Sequence, residues 1–286
     1  MTGEQTIFDR IKAKADRMTP KLQQLAEYLI SNYKAAAFET VAGMAKQAGV
    51  SEATVVRLAD ALDYRGFSEM LEDLQRVLRH ELEAFEHIRH TYSGEELRNL
   101  DAIQAVVSNE QANIARLPEN VRVEEVRRVV DTVAEADKTI VIGLYAEAYL
   151  AQYFGYNFGK VRENVVIVNQ DNADLFNLLL SCTERTVVFI FAFPRYLHRA
   201  QEIGEAFRKE GAAIIGISDS VASPLRAVSH QFLLIPQKYT SFSDPSCAFL
   251  LLLQAIIVEY MARSPAESEQ RLAEFDERAK FLDVLK

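Results

Sequence analysis

The first part of the chain carries apolar residues at helical spacing. One stripe recurs every three or four residues and comprises Leu22, Leu25, Ala26, Leu29 and Tyr33. Thr19 and Pro20 precede it as the capping residue and the first helical residue. The pattern then predicts a short helix over 41–48, a turn at Gly49 and another helix opened by Ser51. The amino-terminal part therefore reads as a small helical bundle.

From residue 126 the pattern changes to short β-branched runs separated by helical stretches. Five runs are predicted as strands: 139–142, 165–168, 186–191, 213–217 and 232–235. Apolar strands that alternate with helices indicate a parallel sheet covered on both faces. Ligands bind such sheets beyond the carboxyl ends of the strands, so the loops beginning at Gly143, Phe191 and Ser218 are candidates. A buried helix over 244–263 follows.

These patterns predict a chain of α and α/β class in four parts. A helical bundle occupies 1–80 and a charged, largely solvated helical linker occupies 81–125. A three-layer α/β sandwich with a five-stranded parallel sheet spans 126–263, and a carboxy-terminal helix spans 264–286. The length of 286 residues agrees with two principal domains.

Charge is unevenly distributed along the chain. The whole chain carries −9, whereas 10–57 holds eight basic and four acidic residues, a net charge of +4. A basic amino-terminal bundle can approach an anion that the whole protein would repel, although a solvated surface gives the same count. Cys182 and Cys247 form no disulfide or zinc pattern, and the apolar stretch 248–258 is too short for a bilayer. We expect a cytoplasmic protein.

The segment 41–62 fits two helices that cross through a tight turn, which is the helix-turn-helix pattern. The second helix would enter the major groove with its amino-terminal residues nearest the bases, while basic residues hold the phosphates. The predicted DNA contacts are Lys46, Ser51, Glu52, Ala53, Thr54, Arg57 and Arg65. The alternative is a three-helix bundle that binds nothing or binds protein.

Three segments carry a family resemblance: MTP at 18–20, VSEATVVRL at 50–58 and YRGFSEM at 64–70. They resemble the helix-turn-helix half of the RpiR (MurR/RpiR) transcriptional regulators. The carboxy-terminal half resembles the sugar isomerase (SIS) domain that these regulators carry as a sensor. The resemblance extends over residues 4–263 and implies a homodimer or homotetramer assembled through the sensor.

The resemblance also implies sensor loops rich in Gly, Ser and Thr, whose hydroxyl and N–H groups hold the phosphate of a phosphosugar. This chain instead has GLYAE at 143–147 and AFPRYLH at 192–198. An arginine clamp and phenolic donors can replace the missing hydroxyls. A serine cluster before the long apolar helix is a third candidate, unless Ser243 only caps that helix. The predicted ligand-binding residues are Gly143, Tyr145, Glu147, Arg195, Tyr196, Ser241 and Ser243.

No catalytic residue, metal centre or cofactor is predicted. Glu147 and His198 are the only attractive titratable pair beside the loops, and nothing in the sequence shows that they face each other. His87 and His90 share a helical face with Glu83 and Glu86, but a solvated helix is the better interpretation of that spacing.

The sequence therefore predicts a regulator that binds double-stranded operator DNA. Its effector would be a sugar phosphate or another carbohydrate-derived acid. Specific binding to DNA would need two helix-turn-helix bundles. Two alternatives stay open. One is a phosphosugar isomerase or related SIS enzyme, and the other is an interaction adaptor whose helical module has lost DNA binding.

Overall fold

The computed structural model of the protein describes residues 6–90, 101–193, 198–220, 223–235, 237–239 and 243–281. Its helices are α1 (Ile7–Lys14), α2 (Pro20–Ala36), α3 (Val41–Ala48), α4 (Glu52–Ala61), α5 (Phe67–His90), α6 (Ala102–Asn120), α7 (Val123–Ala134), α8 (Ala148–Phe158), α9 (Asp174–Leu180), α10 (His198–Lys209), α11 (Leu225–Val228), α12 (Cys247–Arg263) and α13 (Pro265–Phe281). Its strands are β1 (Lys138–Ile142), β2 (Val165–Val168), β3 (Thr186–Phe191), β4 (Ala213–Ser218) and β5 (Gln231–Leu234).

Helices α1 to α5 form one bundle, which we call the reader. The stripe predicted on α2 faces its core, where Leu25, Leu29 and Tyr33 are fully buried. Val55 and Leu58 of α4 pack into the same core. Burial of these apolar faces stabilises helices that are too short to form alone.

The five strands form one parallel sheet in the order β2-β1-β3-β4-β5. The register places Ile140 opposite Val166 on one side and Val188 on the other. All five predicted strands are present, with their ends within one residue of the prediction. Strand β2 lies on one side of β1, and β3 lies on the other. The order of the strands therefore reverses between β1 and β3, which is where such sheets bind ligands.

Alternate residues of the central strand enter two different cores, which confirms the three-layer sandwich. Val187 and Phe189 face the layer of α7, α8 and α12, whereas Val188 and Ile190 face the layer of α9, α10 and α11. We call the sheet with α6 to α13 the sensor.

The second half of the predicted linker is the helix α6, which contacts the rest of the sensor although most of its residues are exposed. Helix α6 packs along α12, with Ile114 and Leu117 against the sensor core. Asn113 is buried, and its amide donates to the carbonyl oxygen of Lys238 at 3.0 Å and accepts from its N–H at 2.9 Å. Hydrophobic periodicity does not reveal this contact, because the buried residue is an asparagine within a polar stretch.

The long apolar helix begins at Cys247 rather than at Asp244. Ser243 is therefore not its capping residue, as one sequence interpretation had it. The carboxylate of Glu110 on α6 accepts from the N–H of Ser246 at 2.9 Å and from the N–H of Cys247. A side chain from a distant helix thus satisfies donors that a local cap would normally serve.

The reader rests on the sensor through α1 and α11. Arg226 of α11 forms an ion pair and hydrogen bond with Asp9 of α1, and its guanidinium lies over the ring of Phe232. Ala227 is buried within the reader core. A short helix of the sensor is therefore a direct support of the reader.

Across the described ranges, no single helix has both the length and the apolar character needed to cross a membrane. Helices α12 and α13 reach that length and apolar character only when they are counted together, and the chain bends by 111° between them.

Candidate functional site

Capping residues fix both ends of α3 and the start of α4. The hydroxyl of Thr40 accepts from the N–H of Gly43 at 3.1 Å and caps α3. Gly49 ends α3 in the left-handed region with φ of 66°, where a side chain would be strained. Ser51 caps α4 by accepting from the N–H of Thr54 at 3.2 Å. These local contacts fix the direction of α4 relative to α3.

Helix α4 presents its amino-terminal half to solvent. Ser51, Glu52, Ala53 and Arg57 are all exposed, as the helical pattern predicts. Thr54 differs, because it is 9% exposed and its hydroxyl bonds that of Ser51 at 2.9 Å. Thr54 therefore belongs to the cap of the helix rather than to its outward face.

The sequence prediction missed one residue of this face. Val56 is 43% exposed beside Arg57, although it is a large apolar residue. Its position outside the buried stripe of Val55, Leu58 and Ala59 was the available signal. An apolar side chain at this place suits contact with a thymine methyl group in the major groove.

The predicted phosphate contacts flank α4 and differ in their surroundings. Lys46 is exposed on α3. Arg65 is exposed after α4 and pairs with Glu69, whose carboxylate also accepts from the N–H of Arg65 at 2.6 Å. The hydrogen bond from the backbone N–H of Arg65 contributes most, and the bond from its side chain adds to it. Together they hold the pKa of Glu69 below its ordinary value. The pair is solvent-exposed and weak, so the guanidinium remains available to a phosphate.

Two basic residues counted in the amino-terminal charge serve the fold instead. Lys14 donates to the carbonyl oxygen of Ala61 at 2.7 Å and pairs with Asp63, and Arg10 donates to that of Leu62 at 2.9 Å. Cations at the carboxyl end of α4 offset the negative end of its dipole. The net charge of +4 therefore overstates the positive charge that is available to a nucleic acid.

The sensor loops meet where the sheet changes direction, between β1 and β3. Gly143 follows β1, and a Cβ there would lie 2.3 Å from the carbonyl oxygen of Glu147, so only glycine fits. Tyr145 has φ of 53° and is 72% exposed in the loop after β1. A non-glycine residue held in the left-handed region is strained, and such strain clusters at functional sites.

Glu147 connects the two loops. Its side chain is buried, and its Oε1 accepts from the N–H of Phe193 at 3.2 Å, which joins the loop after β1 to the loop after β3. The hydroxyl of Ser218 at the end of β4 donates to the carbonyl oxygen of Ala192. The polar groups at these strand ends are therefore bonded to one another.

The predicted pair of Glu147 and His198 is not tested as a pair, because the side chain of His198 lies outside the described part of the structure. The same holds for Glu83, Glu86, His87 and His90, and also for Arg195, Tyr196 and Ser241. Ser243 is described and lies three residues before the cap position of α12. In the described residues no group of three or more His, Cys, Asp or Glu side chains is arranged to hold a metal ion.

Carboxylates gather beside the first turn of α8. Partial burial of the half-exposed Tyr149 side chain, followed by the charge of Asp244 and smaller contributions from Glu147 and Glu110, raises its pKa to about 12. Further along the same edge of the sheet, the hydroxyl of Tyr239 donates to Asp219 at 2.7 Å. The described carboxylates at this edge of the sensor include Glu147, Asp219 and Asp244.

Comparisons with known proteins agree with both modules. Residues 5–81 match the family model of the helix-turn-helix domain of the rpiR family, and residues 132–259 match that of the SIS domain. The chain is 22% identical to the HTH-type transcriptional regulator HexR of Escherichia coli (strain K12) over 224 residues, which cover 77% of this chain and 74% of HexR.

Solved structures share the fold. The Vibrio vulnificus NanR protein complexed with ManNAc-6P superposes with a TM-score of 0.52 at 18% identity, over 96% of this chain and 98% of NanR. The sugar isomerase domain of an RpiR transcription factor from Sphaerobacter thermophilus superposes with a TM-score of 0.59 at 17% identity, over 62% of this chain and 99% of that domain.

A helix-turn-helix reader followed by a SIS sensor defines a DNA-binding regulator with a small-molecule module. The chain belongs to the rpiR family of helix-turn-helix proteins, in the form that carries a SIS domain.

Proposed function

We propose that the protein regulates transcription by binding double-stranded operator DNA through the outward face of α4, under control of a carbohydrate-derived effector bound by the sensor. The observation that carries this proposal is the exposed amino-terminal half of α4 within a capped helix-turn-helix. Such a protein works in the cytoplasm.

Three exposed residues of α4 have a chemical role in this proposal. Ala53 is small and permits close approach to the bases, while Arg57 reaches a guanine edge or a phosphate. Glu52 can accept from a cytosine amino group. Lys46 and Arg65 bind phosphates on either side and position the helix without reading sequence.

Selection of genomic fragments by the purified protein, followed by mobility shifts at several salt concentrations, tests the proposal. A selected duplex should bind on the order of 10³-fold more tightly than a shuffled duplex, with affinity falling as salt rises. Equal affinity for both duplexes would leave the protein without operator recognition and would favour the interaction adaptor.

A homodimer is part of the proposal, because two readers can span successive major-groove faces. Its support is an apolar face on α8 and α12, where Tyr149, Tyr156, Leu251 and Val258 are exposed. Exposed apolar patches of this kind mark association surfaces. Sedimentation should give a dimer that Val258→Asp converts to a monomer, whereas Leu180→Asp on the opposite layer leaves it intact. A monomeric parent protein would contradict this part.

We further propose that the sensor binds its effector without turnover. Glu147 is the candidate base beside the crevice, and its carboxylate bonds the N–H of Phe193 instead of facing open space. An assay of sugar-phosphate isomerisation with the full chain tests this, since measurable turnover would favour the isomerase alternative.

The route from the sensor to the reader is short in this proposal. The loop after β4 leads into α11, which carries Arg226 against Asp9 of α1. An effector that binds the crevice can alter operator affinity only if it binds one arrangement of these modules better than the other. The interface of α1 and α11 is the described contact through which such a difference would pass.

A further inference from the structure

We propose that the cleft between the reader and the sensor is a second small-molecule site, which binds an amino acid with an apolar side chain. Helices α1 and α2 of the reader form one wall of the cleft, and α10 and α11 of the sensor form the other. The cleft lies at the carboxyl end of α10, whereas the loop after β3 leads to its amino end. This inference therefore goes beyond the proposed function.

The cleft has the size and the position of a ligand site. Its volume is about 480 Å³, and small-molecule sites are clefts of about 300–1,000 Å³ that occur preferentially between domains. Each long helix contributes residues one turn apart, such as Ile11 and Ala15 on α1 and Glu205 and Arg208 on α10. One face of each helix is thus turned to the same space.

The buried residues that line the cleft are apolar. They are Ile11, Met18 and Ala26 of the reader and Ala227 and Val228 of the sensor. A ligand with an aliphatic or aromatic side chain would remove further apolar surface from water here. The ligand should therefore carry an apolar group.

Cations stand on the sensor side of the cleft. Arg208 and Lys209 are exposed in the last turn of α10. One guanidinium nitrogen of Arg208 donates to the carbonyl oxygen of Ala227 at 3.4 Å, and among the described residues Arg208 forms no ion pair. A planar guanidinium binds a carboxylate through two parallel hydrogen bonds. The sensor side therefore suits a carboxylate.

A carboxylate stands on the reader side. Glu27 is exposed on α2 beside Ala26. Glu205 on the opposite wall already accepts from the amide of Gln201 at 2.8 Å, so Glu27 is the better partner for a ligand's ammonium group. A ligand of a single charge would meet both attraction and repulsion in this cleft. A zwitterion matches both walls, and with the apolar lining this gives an apolar amino acid.

Calorimetry with the full chain tests the proposal, using leucine, methionine and phenylalanine up to about 10 mM as probes. The best of the three should bind about tenfold more tightly than glycine, which lacks the apolar group. Isocaproate and isopentylamine are leucine-like molecules without the ammonium and without the carboxylate. Each should bind about tenfold more weakly than leucine, because one charge-assisted hydrogen bond is lost.

Two variants assign the ends of the ligand. Arg208→Gln should weaken leucine and isocaproate alike, whereas Glu27→Gln should weaken leucine and leave isocaproate within about twofold. Arg116→Gln and Glu119→Gln, exposed on α6, are the charge-matched controls and should leave leucine binding within about twofold. Leucine should also slow hydrogen exchange in both α2 and α10, since it contacts both walls.

Three results would overturn the proposal. The first is no binding of any of the three amino acids by the parent protein. The second is an equal loss of affinity in the controls, because net charge would then explain the effect. The third is slowed exchange confined to the loops after β1 and β3, which would place the amino acid in the sensor crevice instead.

Discussion

In the reader the polar side chains around α4 face solvent, whereas at the sensor crevice the polar groups are bonded to one another. The hydroxyl of Ser51 caps α4, whereas Glu52 and Arg57 are exposed. In the sensor, Glu147 holds Phe193 and Glu110 holds the start of α12. A surface that must adapt to a long polyanion keeps its charges accessible, while a crevice that must select one small molecule is organised in advance.

The largest effect should come from a cavity in the core of the reader. Leu58 is fully buried, and Leu58→Ala should destabilise the reader by about 2–5 kcal/mol and abolish operator binding while the sensor stays folded. Hydrogen exchange resolved by segment measures both modules. The matched variant Ile190→Ala in the sensor should show the reverse pattern, and equal loss of protection in both modules for either variant would contradict their separate cores.

The next effect concerns the exposed face of α4. Arg57→Ala should weaken binding to a selected operator by about 1–3 kcal/mol, roughly 10- to 100-fold, because it removes a base or phosphate contact without disturbing the core. Mobility shifts give the affinities. Arg185→Ala removes the same charge from the sensor, where Arg185 pairs with Asp137, and should leave affinity within twofold. A similar loss of operator affinity in both variants would show that net charge causes the effect, and it would contradict a specific role for Arg57.

The contact between the modules should matter less. Arg226→Ala removes the partly buried partner of Asp9 and should lower the protection of α1 against hydrogen exchange by about 1–2 kcal/mol, between the values for exposed and buried pairs. Arg199→Ala breaks an ion pair with Asp171 away from this interface and serves as the control. Unchanged exchange in α1 would show that α11 does not support the reader.

The smallest effect should come from pH. The folded-state pKa of Tyr149 lies near 12, above its ordinary value of 10, so the phenol stays protonated longer in the folded protein. The resulting stability is present below pH 10 and is lost as the pH rises through about 12. The melting temperature of the parent protein should therefore fall relative to that of Tyr149→Phe between pH 9 and pH 11.5. A constant difference would contradict the shift.

The reader could be predicted from sequence because its information is local. Gly49, Ser51 and the stripe of Val55 and Leu58 lie within one turn or helix, and helical periodicity identifies which side is outward. Thr54 was the exception, since a small polar residue at the start of a helix fits either the cap or the exposed face.

The strands of the sensor were equally predictable, but the chemistry of its crevice was not. Glu147 and Phe193 are 46 residues apart, and Glu110 lies 136 residues before Ser246. No periodicity connects such residues, because the sheet order brings them together. The buried contact of Asn113 with Lys238 escaped for the same reason.

Protection of α4 by DNA tests the central claim most directly. In a background of Cys182→Ser and Cys247→Ser, a thiol introduced by Ala53→Cys is alkylated with and without a selected operator, and Glu184→Cys provides a thiol on the sensor. Operator should slow alkylation at position 53 at least tenfold, while a shuffled duplex and position 184 show no change. Unchanged alkylation at position 53 in a protein that demonstrably holds its operator would contradict the claim.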